Sequence, residues 1–343
     1  MKRIWISVLL IILLILLLYS SIVVCAAQEG VLLCLKSVIP SLLPFMILSG
    51  YIRNQLLGEN LSFLKPIQKL CKIPEGTEIL WLLGMLGGYP VGAQCINDAY
   101  TKGHITQAEG HRLLAFCCNC GPSFIFGLVG TILSDQKATW SLWLIQIITS
   151  ILIGLYIPKS NSGPNPGKLQ SHTHRDIFSS CTRSMSTVCV WIILFRIILV
   201  LIKNLFTLHP GDQSSILICG ILELTNGCLS LGELTTAGAR FVIASVLLAF
   251  GGICVLIQTA AVTKNLGLGL YFPGKIAQAI LCFLLSYFLQ FFLFPPKEWI
   301  KVHTLLLPIT ILLLLCTLIY LRKKVVAIRI NMMYNKKKIC QRG

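Results

Sequence analysis

Four short segments concentrate the residue types that bind a polar solute inside an otherwise apolar chain. They are Gly87-Gly88-Tyr89-Pro90, Asn119-Cys120-Gly121-Pro122-Ser123, Thr225-Asn226-Gly227, and Gly251-Gly252 followed by Gln258 and Thr259. Pro90 and Pro122 carry no amide proton, and each interrupts the turn of helix before it. An interrupted helix leaves carbonyls and N-terminal amides without partners, and its N-terminus carries partial positive charge that suits carboxylates and phosphates. Asn119, Ser123, Asn226, Gln258 and Thr259 add hydrogen-bonding side chains; with Gly88, Tyr89, Gly121 and Thr225 they form the candidate substrate-binding set. The chemistry this pattern supports is recognition of a small anionic or polar solute. Glycine, serine and threonine also serve close helix packing in membranes, so the reading rests on the four breaks taken together.

Two charges stand apart, Arg196 inside an apolar run and Glu223 beside the third break. Charges at such depth are costly and usually functional. Arg196 is a candidate to neutralise an anionic solute or to pair with Glu223, and Glu223 is a candidate carrier of a coupling proton. No catalytic constellation is present: the six histidines, His104, His111, His172, His174, His209 and His303, fall in loops or at the edges of apolar runs without metal-ligand spacing. Cys117, Cys118 and Cys120 have no second pair at zinc-site spacing, so packing is the reading for them. No phosphate-binding glycine loop with a following lysine and serine or threonine occurs. The expectation is a protein that is not an enzyme and needs no cofactor or metal.

The elements that must position these breaks are set by composition. The 343 residues are 55% apolar and 12% charged, with a mean hydropathy of +0.81. A bilayer core about 30 Å thick takes roughly 20 mainly apolar residues per helix. Eight runs meet that length, at 4–25, 31–52, 112–133, 140–157, 184–203, 240–262, 275–294 and 303–321. Two shorter or broken stretches, 79–97 and 214–231, either cross or dip in and return. The net charge of +17 comes from 29 basic and 12 acidic residues, and most of the basic ones lie in loops and in the tail after Leu321. That distribution reads as cytoplasmic anchoring rather than nucleic-acid binding. If both short stretches re-enter, only Lys36, Lys137, Lys203, Arg240, Lys297 and Lys301 remain on the outer side, so re-entrance is favoured. Both termini are then cytoplasmic.

The stretch Asn161-Ser-Gly-Pro-Asn-Pro-Gly167 is a polar linker, and an internal repeat spans it. Leu113-Leu-Ala-Phe116 recurs as Leu247-Leu-Ala-Phe250, an offset of 134, and the break at Gly87 has its counterpart at Glu223, an offset of 136. The expected organisation is a first transmembrane helix (1–30), a first unit with a re-entrant hairpin (31–157), a cytoplasmic linker (158–183), a second unit of opposite orientation (184–294), a last transmembrane helix (295–321) and a basic tail (322–343). The fold class is thus an all-α polytopic membrane protein, with about eight transmembrane helices and two re-entrant hairpins in an inverted repeat. Inverted repeats with discontinuous helices at the midplane are a common plan of secondary transporters.

The segments Val38-Ile-Pro-Ser-Leu-Leu-Pro-Phe-Met-Ile-Leu-Ser49, Gly87-Gly-Tyr-Pro-Val-Gly-Ala93, Phe116-Cys-Cys-Asn-Cys-Gly-Pro-Ser-Phe-Ile-Phe-Gly127 and Glu223-Leu-Thr-Asn-Gly227 resemble the YlbJ-type sporulation integral membrane proteins of the nucleoside-recognition or gate-domain group. That family's third motif has two consecutive asparagines where this chain has Cys118-Asn119. The resemblance covers nearly the whole chain and implies a fold similar to concentrative nucleoside transporters. It also implies a plasma or mother-cell-derived forespore membrane, and movement of dipicolinate, a small planar dianion, during spore maturation. Nucleosides suit polar breaks too, and a non-transporting scaffold for spore-envelope assembly is the rival from another class. A coupling ion and self-association stay open as further partners.

Overall fold

The computed structural model describes residues 2–159, 174–205, 213–300 and 306–340. All regular structure among them is helical. Helices α1 (Lys2–Leu18) and α2 (Ser20–Leu33) lead through a π-turn at Cys34–Val38 into α3 (Ile39–Leu56). The short α4 (Lys65–Cys71) precedes a first broken pair, α5 (Ile79–Gly87) and α6 (Val91–Thr101). Next come α7 (Gln107–Cys117), then α8 (Pro122–Phe124), a second π-turn (Ile125–Val129) and α9 (Gly130–Leu133), followed by α10 (Gln136–Tyr156) and α11 (His174–Leu205). A second broken pair, α12 (Gln213–Leu222) and α13 (Leu224–Ser230), is followed by α14 (Ala237–Phe250), α15 (Gly252–Val262), α16 (Tyr271–Leu293) and α17 (Leu306–Cys340).

The same order therefore occurs twice: a broken pair, a second broken helix, and an unbroken one. The units begin at Ile79 and Gln213, 134 residues apart, and their unbroken helices begin at Gln136 and Tyr271, 135 apart. Leu113–Phe116 and Leu247–Phe250 each lie at the end of the helix that precedes a break. The repeated sequence marks a repeated local event, the termination of a helix inside the fold.

Six described runs are long and apolar enough to cross a bilayer: Ser20–Leu56, Gln107–Leu133, Gln136–Tyr156, Ile177–Asn204, Ala237–Val262 and Tyr271–Leu293. The expected span 4–25 is instead divided at Tyr19, and its second part runs on into α3 as one stretch of 37 residues. At 1.5 Å per residue that stretch is about 55 Å long, well beyond a hydrocarbon core of about 30 Å. Pro40 removes an α-helical donor, and the Ile39 amide bonds back to Cys34, which makes the π-turn. Residues 174–183, assigned to the linker, form the start of α11, while 160–173 lie outside the described residues. The last expected span begins at 303, also outside them, and the segment after Leu321 continues as helix to Cys340.

The long helices are apolar outside and polar inside. On α16, Lys275, Gln278, Cys282, Ser286 and Gln290 are buried at steps of three or four, while Phe272, Phe288 and Phe292 are exposed, the last at 86%. On α10, Gln146, Thr149 and Ser150 are buried, and Trp140, Leu144, Ile148 and Leu152 are exposed. That inversion of the soluble pattern is stable only where lipid covers the outer face. It also delivers a polar interior in which the breaks can sit.

Arginines that read as loop anchors are built into this interior. Arg112 is 1% exposed and donates to the carbonyls of Cys71, Lys72, Gly154 and Ile157, closing the C-terminal ends of α4 and α10. Arg53, also buried, forms a 2.6 Å ion pair with Asp98 that ties α3 to α6.

Candidate functional site

The breaks meet one another in space. Gly88 has φ +72°, and a Cβ there would stand 2.7 Å from the Gly121 nitrogen, so the first pair turns directly against the break after α7. Tyr89, the next residue, crosses to the second unit: its hydroxyl donates to the carbonyls of Ala249 at 3.1 Å and Leu248 at 3.4 Å. α14 ends just beyond them at Gly251, whose φ of +80° interrupts the helix before α15. In the second unit, a Cβ on Gly252 would stand 2.9 Å from the Gly220 carbonyl, so α15 starts against the end of α12.

A cavity of about 390 Å³ opens where these breaks converge. Tyr89, Gly121, Ser123, Glu223, Thr225 and Gln258 stand on its wall, with Lys36, Ser37 and Ser41 contributed by the first π-turn and the start of α3. Gly127 and Leu128 of the second π-turn complete one side. Single π-turns are frequent at functional sites, and here each of the two borders the same cavity. Ser123 Oγ is buried without a hydrogen-bond partner among the described residues. The remaining wall is apolar, from Leu42, Phe124, Val188, Ile192 and Val255. The volume and the few polar groups on an apolar lining match a small-molecule pocket.

The sequence-selected residues fall into two groups. Tyr89, Gly121, Ser123, Glu223, Thr225 and Gln258 share the cavity wall, and Gly88 forms the turn behind Tyr89. Asn119, Asn226 and Thr259 do not line it. Asn119 is fully buried, with Nδ2 donating to the Phe116 carbonyl at 2.8 Å and Oδ1 accepting from Gln278 at 2.6 Å. Thr259, also fully buried, lies one residue past Gln258 on the side of α15 away from the cavity wall.

Arg196 departs from expectation. It does not pair with Glu223 and does not line the cavity; its guanidinium binds Glu29 at 2.6 Å and the Asn226 side-chain oxygen at 2.6 Å. Asn226 in turn donates to Glu223 at 2.7 Å, so the two charges communicate through an amide. The physical reason lies in how Glu223 is satisfied. Its carboxylate caps α13, accepting from the amides of Thr225 at 2.9 Å and Asn226 at 2.7 Å. The helix N-terminus expected to face an anionic solute is therefore occupied by the chain's own carboxylate.

Two lysines were hidden from sequence reasoning by their position near the ends of apolar runs. Lys36 is exposed at the edge of the cavity and is the one lining cation among the described residues. Lys275, counted with the loop charges, lies one turn inside α16 because that helix begins at Tyr271, and it is 1% exposed. It donates to Asn119 Oδ1 at 3.2 Å and Gln278 Oε1 at 2.6 Å, and Gln278 continues the network to Gln146 at 3.2 Å. The periodic polar face of α16 was the available signal. Cys117, Cys118 and Cys120 are buried around the same break.

No family model matches the chain, and no solved structure matches it. A curated relative, the sporulation integral membrane protein YlbJ of Bacillus subtilis (strain 168), is 24% identical over an alignment covering 74% of each chain. Together with the apolar-outside helices, that similarity makes the protein a multi-pass membrane protein and a distant homologue of the YlbJ-type sporulation integral membrane proteins.

Proposed function

We propose that this protein is an alternating-access carrier of a small anionic solute, dipicolinate during spore maturation, and not an enzyme. The observation that carries the reading is the cavity at the convergence of the broken helices. It is apolar enough to seat a flat ring, and Lys36 stands at it with no ion-pair partner among the described residues. Glu223 does not repel the solute strongly, because three N–H groups already hold its carboxylate. Irregular backbone at membrane depth is tolerated where it lines a cavity, which is where these breaks lie. In this reading the two broken pairs are re-entrant hairpins, the two units are inverted, and the solute sits between them near the midplane. Solute exchange then requires the contact between Tyr89 and the end of α14 to open.

The experiment is uptake of labelled dipicolinate, beside a nucleoside panel, into proteoliposomes containing the full chain. Saturable dipicolinate uptake that is lost in Gln258→Leu and weakened in Lys36→Gln supports the carrier. Saturable nucleoside uptake alone assigns the other substrate class, which Tyr89 and Phe124 would serve by stacking. Folded protein that moves no member of the panel leaves the scaffold role.

A further inference from the structure

Behind Tyr89 lies a second polar site that the cavity does not include. Lys275 is almost wholly buried, and no carboxylate pairs with it among the described residues. Its Nζ carries three N–H bonds. Two of them go to Asn119 and Gln278, and the ammonium otherwise faces aromatic rings, 5.2 Å from the centre of Tyr89 and 5.9 Å from that of Tyr271. Around it, from α7, the break after α7 and α16, the further titratable groups among the described residues are the thiols of Cys117, Cys118, Cys120 and Cys282. Amide oxygens and ring faces soften a buried charge but do not cancel it, and an uncompensated cation in a membrane interior is costly.

An independent observation points to the missing counter-charge. Tyr271 and Thr259 are adjacent across α15 and α16, 1% and 0% exposed; their hydroxyls face each other, and neither has a well-formed hydrogen bond to any further group among the described residues. Buried hydroxyls are ordinarily satisfied, so a pair turned only to each other calls for an explanation. Two hydroxyl donors and an ammonium with a spare N–H are together the donor set of a carboxylate site.

We infer that Lys275, Tyr271 and Thr259 form an occluded subsite for one carboxylate of the transported solute, separated from the cavity by Tyr89. Tyr89 touches both spaces: it stands on the cavity wall, and its ring covers the Lys275 ammonium. A solute carboxylate reaching this subsite supplies the negative charge that the described residues lack there, and it accepts from the two hydroxyls. The inference rests on the carrier reading and narrows its substrate class to carboxylates, because a neutral nucleoside offers no counter-charge. It also gives Thr259 a role in binding, although Thr259 does not line the cavity.

The test is binding to the full-length protein in nanodiscs, with pyridine-2,6-dicarboxylate, pyridine-2-carboxylate and uridine as probes, followed by calorimetry and thermal unfolding. The wild type is expected to bind the dicarboxylate and to unfold at a higher temperature in its presence. Lys275→Met is expected to lose at least tenfold in dicarboxylate affinity while unfolding, without solute, at or above the wild-type temperature, since it removes an uncompensated charge. Tyr271→Phe removes one hydroxyl and no charge, and it should weaken dicarboxylate binding severalfold without moving the solute-free transition downward. Wild-type dicarboxylate affinity in either variant overturns the subsite and leaves the carrier standing. So does a Lys275→Met protein that unfolds much earlier than wild type, because the lysine is then structural. If the wild type binds neither carboxylate, both the subsite and the anionic carrier fall.

Discussion

The hydroxyl of Tyr89 donates to the carbonyl of Ala249 across 3.1 Å, joining the tip of the first broken pair to the last turn of α14, 160 positions along the chain. The bond uses a carbonyl that the termination of α14 at Gly251 leaves without a helical donor. The two units are therefore fastened at the points where each is broken, and the fastener also walls the cavity.

Tyr89→Phe keeps the ring against Lys275 and deletes the hydroxyl. A neutral hydrogen bond of this kind contributes about 1 kcal/mol, so the protein should stay folded with a slightly lower unfolding temperature. The tip should open more often, and Cys120, buried on the cavity wall, should react faster with a membrane-permeant maleimide. Site-resolved mass spectrometry of labelling rates reads this; equal Cys120 rates in variant and wild type would show that Tyr89 is not the fastener.

The two turning glycines should differ in cost. At Gly88, φ +72° with ψ −168° is a conformation essentially restricted to glycine, and a Cβ would also meet the Gly121 backbone at 2.7 Å. Gly251 has φ +80° and ψ −17°, nearer the left-handed helical region, and a Cβ would meet only ring atoms of Tyr89 and a methyl of Val255 at 3.3 Å. Gly88→Ala is expected to cost about 3 kcal/mol or more, and Gly251→Ala about 1 to 2 kcal/mol. Thermal unfolding in detergent measures the order, and a Gly251→Ala protein less stable than Gly88→Ala would contradict it.

Much of this arrangement was legible in the sequence because breaks declare themselves. Gly-Gly-Tyr-Pro, Asn-Cys-Gly-Pro-Ser and Gly-Gly interrupt apolar runs with residues that cannot continue a helix, and the offset of 134 pairs them. Six of the selected side chains or backbone positions accordingly share one cavity wall. Side-chain direction was not legible. Asn119 and Ser123 are neighbours in one motif, yet one faces Gln278 and the other the cavity, because the backbone around them leaves the helix for an extended conformation. Charges misled for a different reason. A lysine or arginine at the edge of an apolar run reads as an anchor in water, whereas Arg53, Arg112 and Lys275 fold back into the interior, where carbonyls, a carboxylate or amides receive them. Only the tertiary structure supplies those partners.

The Arg53 and Asp98 pair tests that point. Arg53's side chain is 7% exposed, so removing its partner leaves an unpaired buried cation, at a cost of about 3 to 5 kcal/mol. Asp98→Asn should therefore be strongly destabilising, while the double substitution Asp98→Asn with Arg53→Met should recover much of the loss. A double variant no more stable than Asp98→Asn alone would mean that the α3 to α6 tie acts through packing rather than charge.

The sequence offers Glu223 as a carrier of a coupling proton, and its hydrogen bonds argue for a different role. Three N–H groups, from the backbone of Thr225, the backbone of Asn226 and the Asn226 amide, all stabilise the ionised carboxylate. Both oxygens are thereby committed to the start of α13, which is a structural role. Glu223→Gln offers a single acceptor oxygen where there were two, and it should cost about 1 to 3 kcal/mol through the unsatisfied donors at the start of α13. It should also loosen the Asn226 amide that bridges Glu223 to Arg196. In proteoliposomes its uptake should therefore be reduced at every pH while the pH profile keeps its shape. Loss of the pH dependence itself, in a variant that still transports, would restore Glu223 as the proton carrier.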